Sequence, residues 1–144
     1  MTNIIANTSF IGPVLAQIGL TLLVLFLLYA RRLPAMAAIK PTNEMMQDKA
    51  SASKLPMPAR FAAENYNHQF EAPVLFYVLC LTAMITGLGN ELSIQLAWAY
   101  VGLRVLHSII HCTYNRVMHR FYVFALSNLV QIGLFLTIVF DYLD

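Results

Sequence analysis

Two stretches of the chain hold ionisable side chains at helical spacing, within segments that are otherwise apolar. In the first, Arg60, Glu64, Asn67, His68 and Glu71 recur at intervals of three and four. At 100° per residue they share one face of a helix, about 100° wide. In the second, Tyr100, Arg104, His107, His111 and Tyr114 fall on one face, with Arg116 and Arg120 just beyond. A charged group near a bilayer centre costs roughly 2.5–3.5 kcal/mol, so intramembrane ionisable residues mark functional sites by default. Lipid cannot face such a stripe, so another helix or subunit must, and one reading is that it lines a functional site. The alternative is an interhelical network that only glues helices together, with Arg104 paired to Glu71 or Glu64. Arg116 also reads as an anchor at the membrane surface and His119 as a solvated interfacial residue.

Other chemistries find less support. His107 and His111 stand at i and i+4, and with His68 and Glu71 they could approach a metal. The chain lacks an H-E-x-x-H motif, however, and its four histidines are too few for a His-rich di-iron site, so no metal is expected. Cys80 and Cys112 are isolated in apolar surroundings without a C-x-x-C pair and read as packing residues. There is no G-x-S-x-G, phosphate-binding loop or dinucleotide fingerprint.

The elements that must position these residues are apolar helices. The first charges are Arg31 and Arg32, and residues 72–90, 92–103, 105–115 and 121–140 carry none. About 20 apolar residues of helix cross a bilayer core of roughly 30 Å. Four spans follow, at about 10–30, 61–87, 92–114 and 119–141, in an all-α integral membrane four-helix bundle. Strand-like alternation is absent. A soluble bundle would need a water-facing polar stripe on every helix, which residues 18–30 cannot supply. The N-terminal segment reads as a first anchor rather than a cleaved signal, because Arg31-Arg32 follows it in place of a small-residue cleavage site.

Composition agrees. Of 144 residues 59% are hydrophobic and 11% charged, whereas a soluble domain carries about 25% charged residues. A net charge of +2 argues against nucleic-acid binding, and the length allows a single domain over 1–144. The first loop, about 31–60, holds Arg31, Arg32, Lys40, Lys49, Lys54 and Arg60, and the third holds Arg116 and Arg120, while the second has only Glu91. The positive-inside bias makes loops one and three cytoplasmic and puts both termini on the far side. Within the first loop the stretch from Met45 to Lys54 could form a short surface helix. The run from Gly87 to Asn90 reads as a tight helix-end turn.

The stretches from Arg60 to Tyr77 and from Arg104 to Arg120 resemble the MAPEG superfamily, the membrane-associated proteins in eicosanoid and glutathione metabolism. The similarity extends over essentially the whole chain. The family's helix-two motif, Asn-x-x-Glu followed by Pro, looks like His68-x-x-Glu71-x-Pro73 here. Arg104, His107, Arg116 and Arg120 match the helix-three spacing without a gap, and the E-A-P-V-L-F-Y run from Glu71 to Tyr77 is most similar to poorly characterised bacterial members. The resemblance implies a MAPEG-like homotrimer in the bacterial inner membrane, surrounded by lipid, with glutathione bound between subunits at the cytoplasmic end. It implies that Arg120 stabilises the glutathione thiolate, and that His68, Glu71, Arg104, His107, His111, Tyr114 and Arg116 line the site. A guanidinium beside a thiol favours its anionic form, which attacks a small lipophilic electrophile or reduces a hydroperoxide. Glu64 and Asn67 stand where catalytic members carry Arg, and His111 where several carry Tyr.

Three functions therefore compete. One is a glutathione transferase or peroxidase. Another is a non-catalytic protein that uses the same pocket for lipid or another anion. The third, a transporter with Glu64 and Glu71 as a proton relay, is disfavoured because an adjacent Arg104 would hold the carboxylates ionised.

Overall fold

The structure is a computed structural model that describes residues 8–48 and 54–144. Its helices are α1 (Ile11–Ile39), α2 (Asn43–Gln47), α3 (Met57–His68), α4 (Ala72–Thr86), α5 (Glu91–Cys112) and α6 (Val117–Leu143), with no strand among the described residues. Three segments are long and apolar enough to cross a membrane: α1, Met57–Thr86 and α6. The fourth expected span corresponds to helix α5, which is too polar to count among them, and its polar side chains turn inward. Tyr100, Arg104, His107, Ser108 and His111 are all buried there. Helix α5 packs against α1, α3 and α6, and α4 closes against α1 and α6. Large apolar residues such as Leu23, Phe26, Leu75, Ile85, Leu129 and Phe140 remain exposed. Apolar surface on that scale suits lipid rather than water.

Helix α1 runs nine residues past the expected span. The Arg31 guanidinium explains part of this: it donates to the carbonyl of Cys112 at 2.8 Å and to that of Pro58 at 3.4 Å. A cation at the last carbonyls of α5 meets the negative end of that helix, so Arg31 ties α1 to α3 and α5. The short helix α2 covers only the start of the anticipated surface helix, and residues 49–53 lie outside the described residues.

The expected continuous segment 61–87 breaks into α3 and α4. Pro73 has no N–H to offer the carbonyl of Gln69, and the chain closes α3 with tighter turns, Gln69 N to Tyr66 O at 3.1 Å and Phe70 N to Asn67 O at 3.0 Å. Glu71 then leaves helical geometry at φ −98°, ψ −104°, and α4 begins.

At the opposite end the Gly87–Asn90 turn forms as expected. Gly87 ends α4 at φ 77°. Gly89 has φ 100°, and a Cβ there would lie 2.8 Å from the Phe10 ring, so no larger residue fits. Asn90 and Ser93 form a reciprocal cap on α5. Asp141 at the end of α6 grips this turn, accepting from Gly89 N and Asn90 Nδ2, each at 3.0 Å. Between the two ends lies a core of Phe10, Phe76, Cys80, Ala83, Ala97, Tyr100, Val101, Leu134 and Ile138. Phe76 and Tyr100 stack there with centroids 4.6 Å apart. Both cysteines are free and buried, as packing residues should be.

The clasp yields a prediction. Asp141→Ala should cost about 1–2 kcal/mol, because two charge-assisted hydrogen bonds are lost. Thermal unfolding in detergent should show a lower midpoint, and an unchanged midpoint would contradict the assignment.

Candidate functional site

The break in the second segment exposes the end of α3 inside the bundle. The last carbonyls of a helix lack intrahelical partners, and Arg104 Nη2 donates to that of His68 at 2.9 Å. The Arg104 side chain is fully buried, with its Cζ 5.9 Å from the centre of the Phe124 ring. This replaces the expected pairing of Arg104 with Glu71 or Glu64. Both acids sit instead at the rim, about half exposed, each beside a histidine: Glu71 Oε2 at 2.7 Å from His68 Nδ1, and Glu64 Oε2 at 3.4 Å from His111 Nε2.

Three imidazoles meet beside Arg104. The ring centroids of His68, His107 and His111 lie 5.4–5.9 Å apart, and Phe124 from α6 closes the group. Arg120, one turn before Phe124, reaches back toward α5. Its Nη1 lies 3.0 Å from His111 Nε2 and 3.0 Å from Asn115 Oδ1. Asn115 adopts φ 43°, a left-handed conformation that asparagine tolerates better than most residues, and so turns its side chain to Arg120 in the short link between α5 and α6.

Several buried atoms in this cluster have no hydrogen-bond partner among the described residues: Tyr100 OH, Arg104 Nε and Nη1, both ring nitrogens of His107, and His111 Nδ1. Unsatisfied buried polar atoms are costly. Their concentration at one place, mostly as donors, fits a site for water or a polar, anionic group.

The structure therefore brings together six of the expected residues: His68, Glu71, Arg104, His107, His111 and Arg120. It does not bring in Tyr114. Helix α5 ends at Cys112, so the helical phase that aligned Tyr114 with His111 has lapsed, and its hydroxyl lies 3.3 Å from His119 Nδ1. Arg116 is exposed ahead of α6, and no hydrogen bond or ion pair of its side chain is found among the described residues. The described residues contain no cluster suited to a metal ion.

A second network was not anticipated. Asn65 and Gln69 on the inner face of the second segment meet Ser108 of α5 and Gln17 of α1. Gln17 Nε2 donates to Gln69 Oε1 at 3.1 Å, Gln69 Nε2 to Ser108 Oγ at 3.2 Å, and Ser108 Oγ to Asn65 Oδ1 at 3.3 Å. Asn65 Nδ2 also reaches Cys112 Sγ at 3.3 Å. Gln17 is the one amide within the first span, and Asn65 and Gln69 stand at i and i+4, which is the signal that could have revealed them.

A family model described as the MAPEG family matches residues 10–140. The chain belongs to the MAPEG family. No curated protein and no solved structure matches it. The MAPEG match spans α1 and α3 to α6 almost entirely, so it includes the broken helix, the histidine cluster and Arg120. Membership makes this a membrane protein of the glutathione and eicosanoid metabolism superfamily.

The two faces of the second segment predict different sensitivities at neighbouring positions. Gln69→Leu strands partners on two helices and should lower stability by about 2 kcal/mol. Asn67→Ala, on the exposed side of α3, should stay within about 0.5 kcal/mol of the parent. Equal losses in a detergent unfolding series would refute the assignment of the inner face.

Proposed function

We propose that this MAPEG protein is a glutathione transferase or peroxidase that acts on small lipophilic electrophiles or hydroperoxides. It works as a homotrimer, with glutathione between neighbouring subunits at the end where α3, α5 and α6 meet. That end faces the cytoplasm and both termini lie on the far side of the bacterial inner membrane, in keeping with the basic residues of the first and third loops. The observation that carries the reading is Arg120: a partly exposed guanidinium held at 3.0 Å by His111 and by Asn115, with further N–H groups left to face a ligand.

A free thiol has a pKa of about 8.5, and an adjacent cation favours the thiolate. Arg120 fixed in advance provides that cation without reorganisation during the reaction. Arg104 and His107 bring unpaired donors to the inner wall, and His68 with Glu71 forms its rim. Arg116 is available to a carboxylate from outside the cluster.

A second reading draws on the rim. Glu64 and Glu71 present two half-exposed carboxylates to a tripeptide that itself carries two. Their repulsion favours a non-catalytic protein that holds lipid or a smaller anion in the same pocket.

Purified protein in detergent should conjugate glutathione to an aryl halide. Arg120→Ala should lower that rate by roughly 10²-fold or more, the usual effect of removing one such stabilising donor. A wild-type rate equal to the uncatalysed background with several electrophiles and a hydroperoxide, together with tightly retained lipid, would favour the second reading.

A further inference from the structure

One nitrogen in the site has two claimants. His111 Nε2 lies 3.0 Å from Arg120 Nη1 and 3.4 Å from Glu64 Oε2. A guanidinium can only donate and a carboxylate can only accept. Bare Nε2 accepts from Arg120 and offers nothing to Glu64. Protonated Nε2 donates to Glu64 and turns a hydrogen toward the Arg120 donor, as a like charge when Nδ1 is protonated too. Both contacts cannot be satisfied at once.

The contact to Arg120 is the shorter, and the tautomer is assigned from it: with Arg120 docked, Nε2 is bare and the single ring proton is on Nδ1. Glu64 waits at the longer distance, about half exposed, while the His111 ring is fully buried. The same Arg120 Nη1 also donates to Asn115 Oδ1 at 3.0 Å, a tether that remains when His111 lets go. The ionisable groups around the ring are Glu64 and His68 on α3, His107 on α5 and Arg120 on α6.

We propose that His111 is the positioning residue for Arg120 and that Glu64 is the competing partner of a proton-operated catch. A proton taken from solvent by Nε2 exchanges the Arg120 contact for the Glu64 contact and frees the guanidinium. Loss of that proton re-docks it. Glu64 then serves the catch instead of facing the ligand. The catch is a property of the ligand-free protein, and its effect on glutathione rests on the thiolate reading above.

The test has two arms. In the first, imidazole 15N spectra are recorded on ligand-free, histidine-labelled full-length protein, with the His111 signal identified by its loss in His111→Gln. The neutral ring should carry its proton on Nδ1, and Arg120→Gln should shift it to Nε2. A wild-type proton on Nε2 overturns the proposal whether or not glutathione binds. In the second arm, bound thiolate is followed by its ultraviolet absorbance as pH is lowered. Docking and thiol ionisation each release a proton, so in the wild type the logarithm of the yield should fall with a slope of about one that steepens to about two where His111 takes up its proton. His111→Gln, whose amide oxygen accepts from Arg120 but does not titrate, should restore a slope of about one, and Glu64→Gln should approach it over the same range. A slope of one in the wild type and both variants overturns the catch and leaves the glutathione reading intact. Absence of thiolate at every pH overturns the glutathione reading, and the first arm then decides the catch alone.

Discussion

A guanidinium inside a membrane bundle must be kept from lipid and given oxygen partners, and Arg104 meets both conditions where α3 stops. The carbonyl of His68 receives one of its donors at 2.9 Å. That carbonyl lies at a helix end because Pro73 interrupts the second segment. The cation and the break therefore support each other: the negative end of α3 stabilises the charge, and the charge occupies a carbonyl at a buried helix terminus. The surrounding arrangement follows. Helix α5 lies innermost because it carries Arg104 and the histidines, while α1, α4 and α6 direct apolar side chains outward.

The bundle also keeps its two ends chemically distinct. The end near Gly87–Asn90 is a closed clasp, with its Asp141 contacts and helix cap formed. The other end concentrates two guanidinium groups, three imidazoles and two carboxylates, with many buried donors unpaired. The clasp and the polar cluster thus lie at opposite ends of the bundle. The amide network of Gln17, Asn65, Gln69 and Ser108 lies beside the polar cluster and locks α1 and the second segment onto α5.

Much of this was legible from residue types. The apolar runs placed the helices, Gly87 and Asn90 marked the tight turn, and the spacing of Arg104, His107 and His111 identified a buried face of α5. Other features depend on contacts that periodicity does not encode. The stripe of Glu64, His68 and Glu71 has the right spacing but lies on the shoulder of the segment, and the inward face is Ala62, Asn65 and Gln69. Short amides there register weakly beside charged neighbours. Arg31 reads as a loop charge, yet it reaches across the bundle to Cys112 because α1 continues beyond the apolar run. Tyr114 was drawn into the site by a helical phase that ends two residues before it. The expected Arg104–glutamate pairs gave way to a backbone carbonyl, a partner that side-chain inventory cannot reveal.

We propose that a site with two rim carboxylates accepts a tripeptide that carries two more because Arg120 and Arg104 supply positive charge and His68 engages Glu71. Calorimetric titration of the detergent-purified protein with glutathione tests this most directly, with Glu64→Arg titrated alongside. Saturable heat of binding in the wild type is the predicted result, because the Arg120 and Arg104 guanidinium groups outweigh the rim carboxylates. No heat in the wild type, with binding gained by Glu64→Arg, would contradict it by showing that the carboxylate excludes the tripeptide.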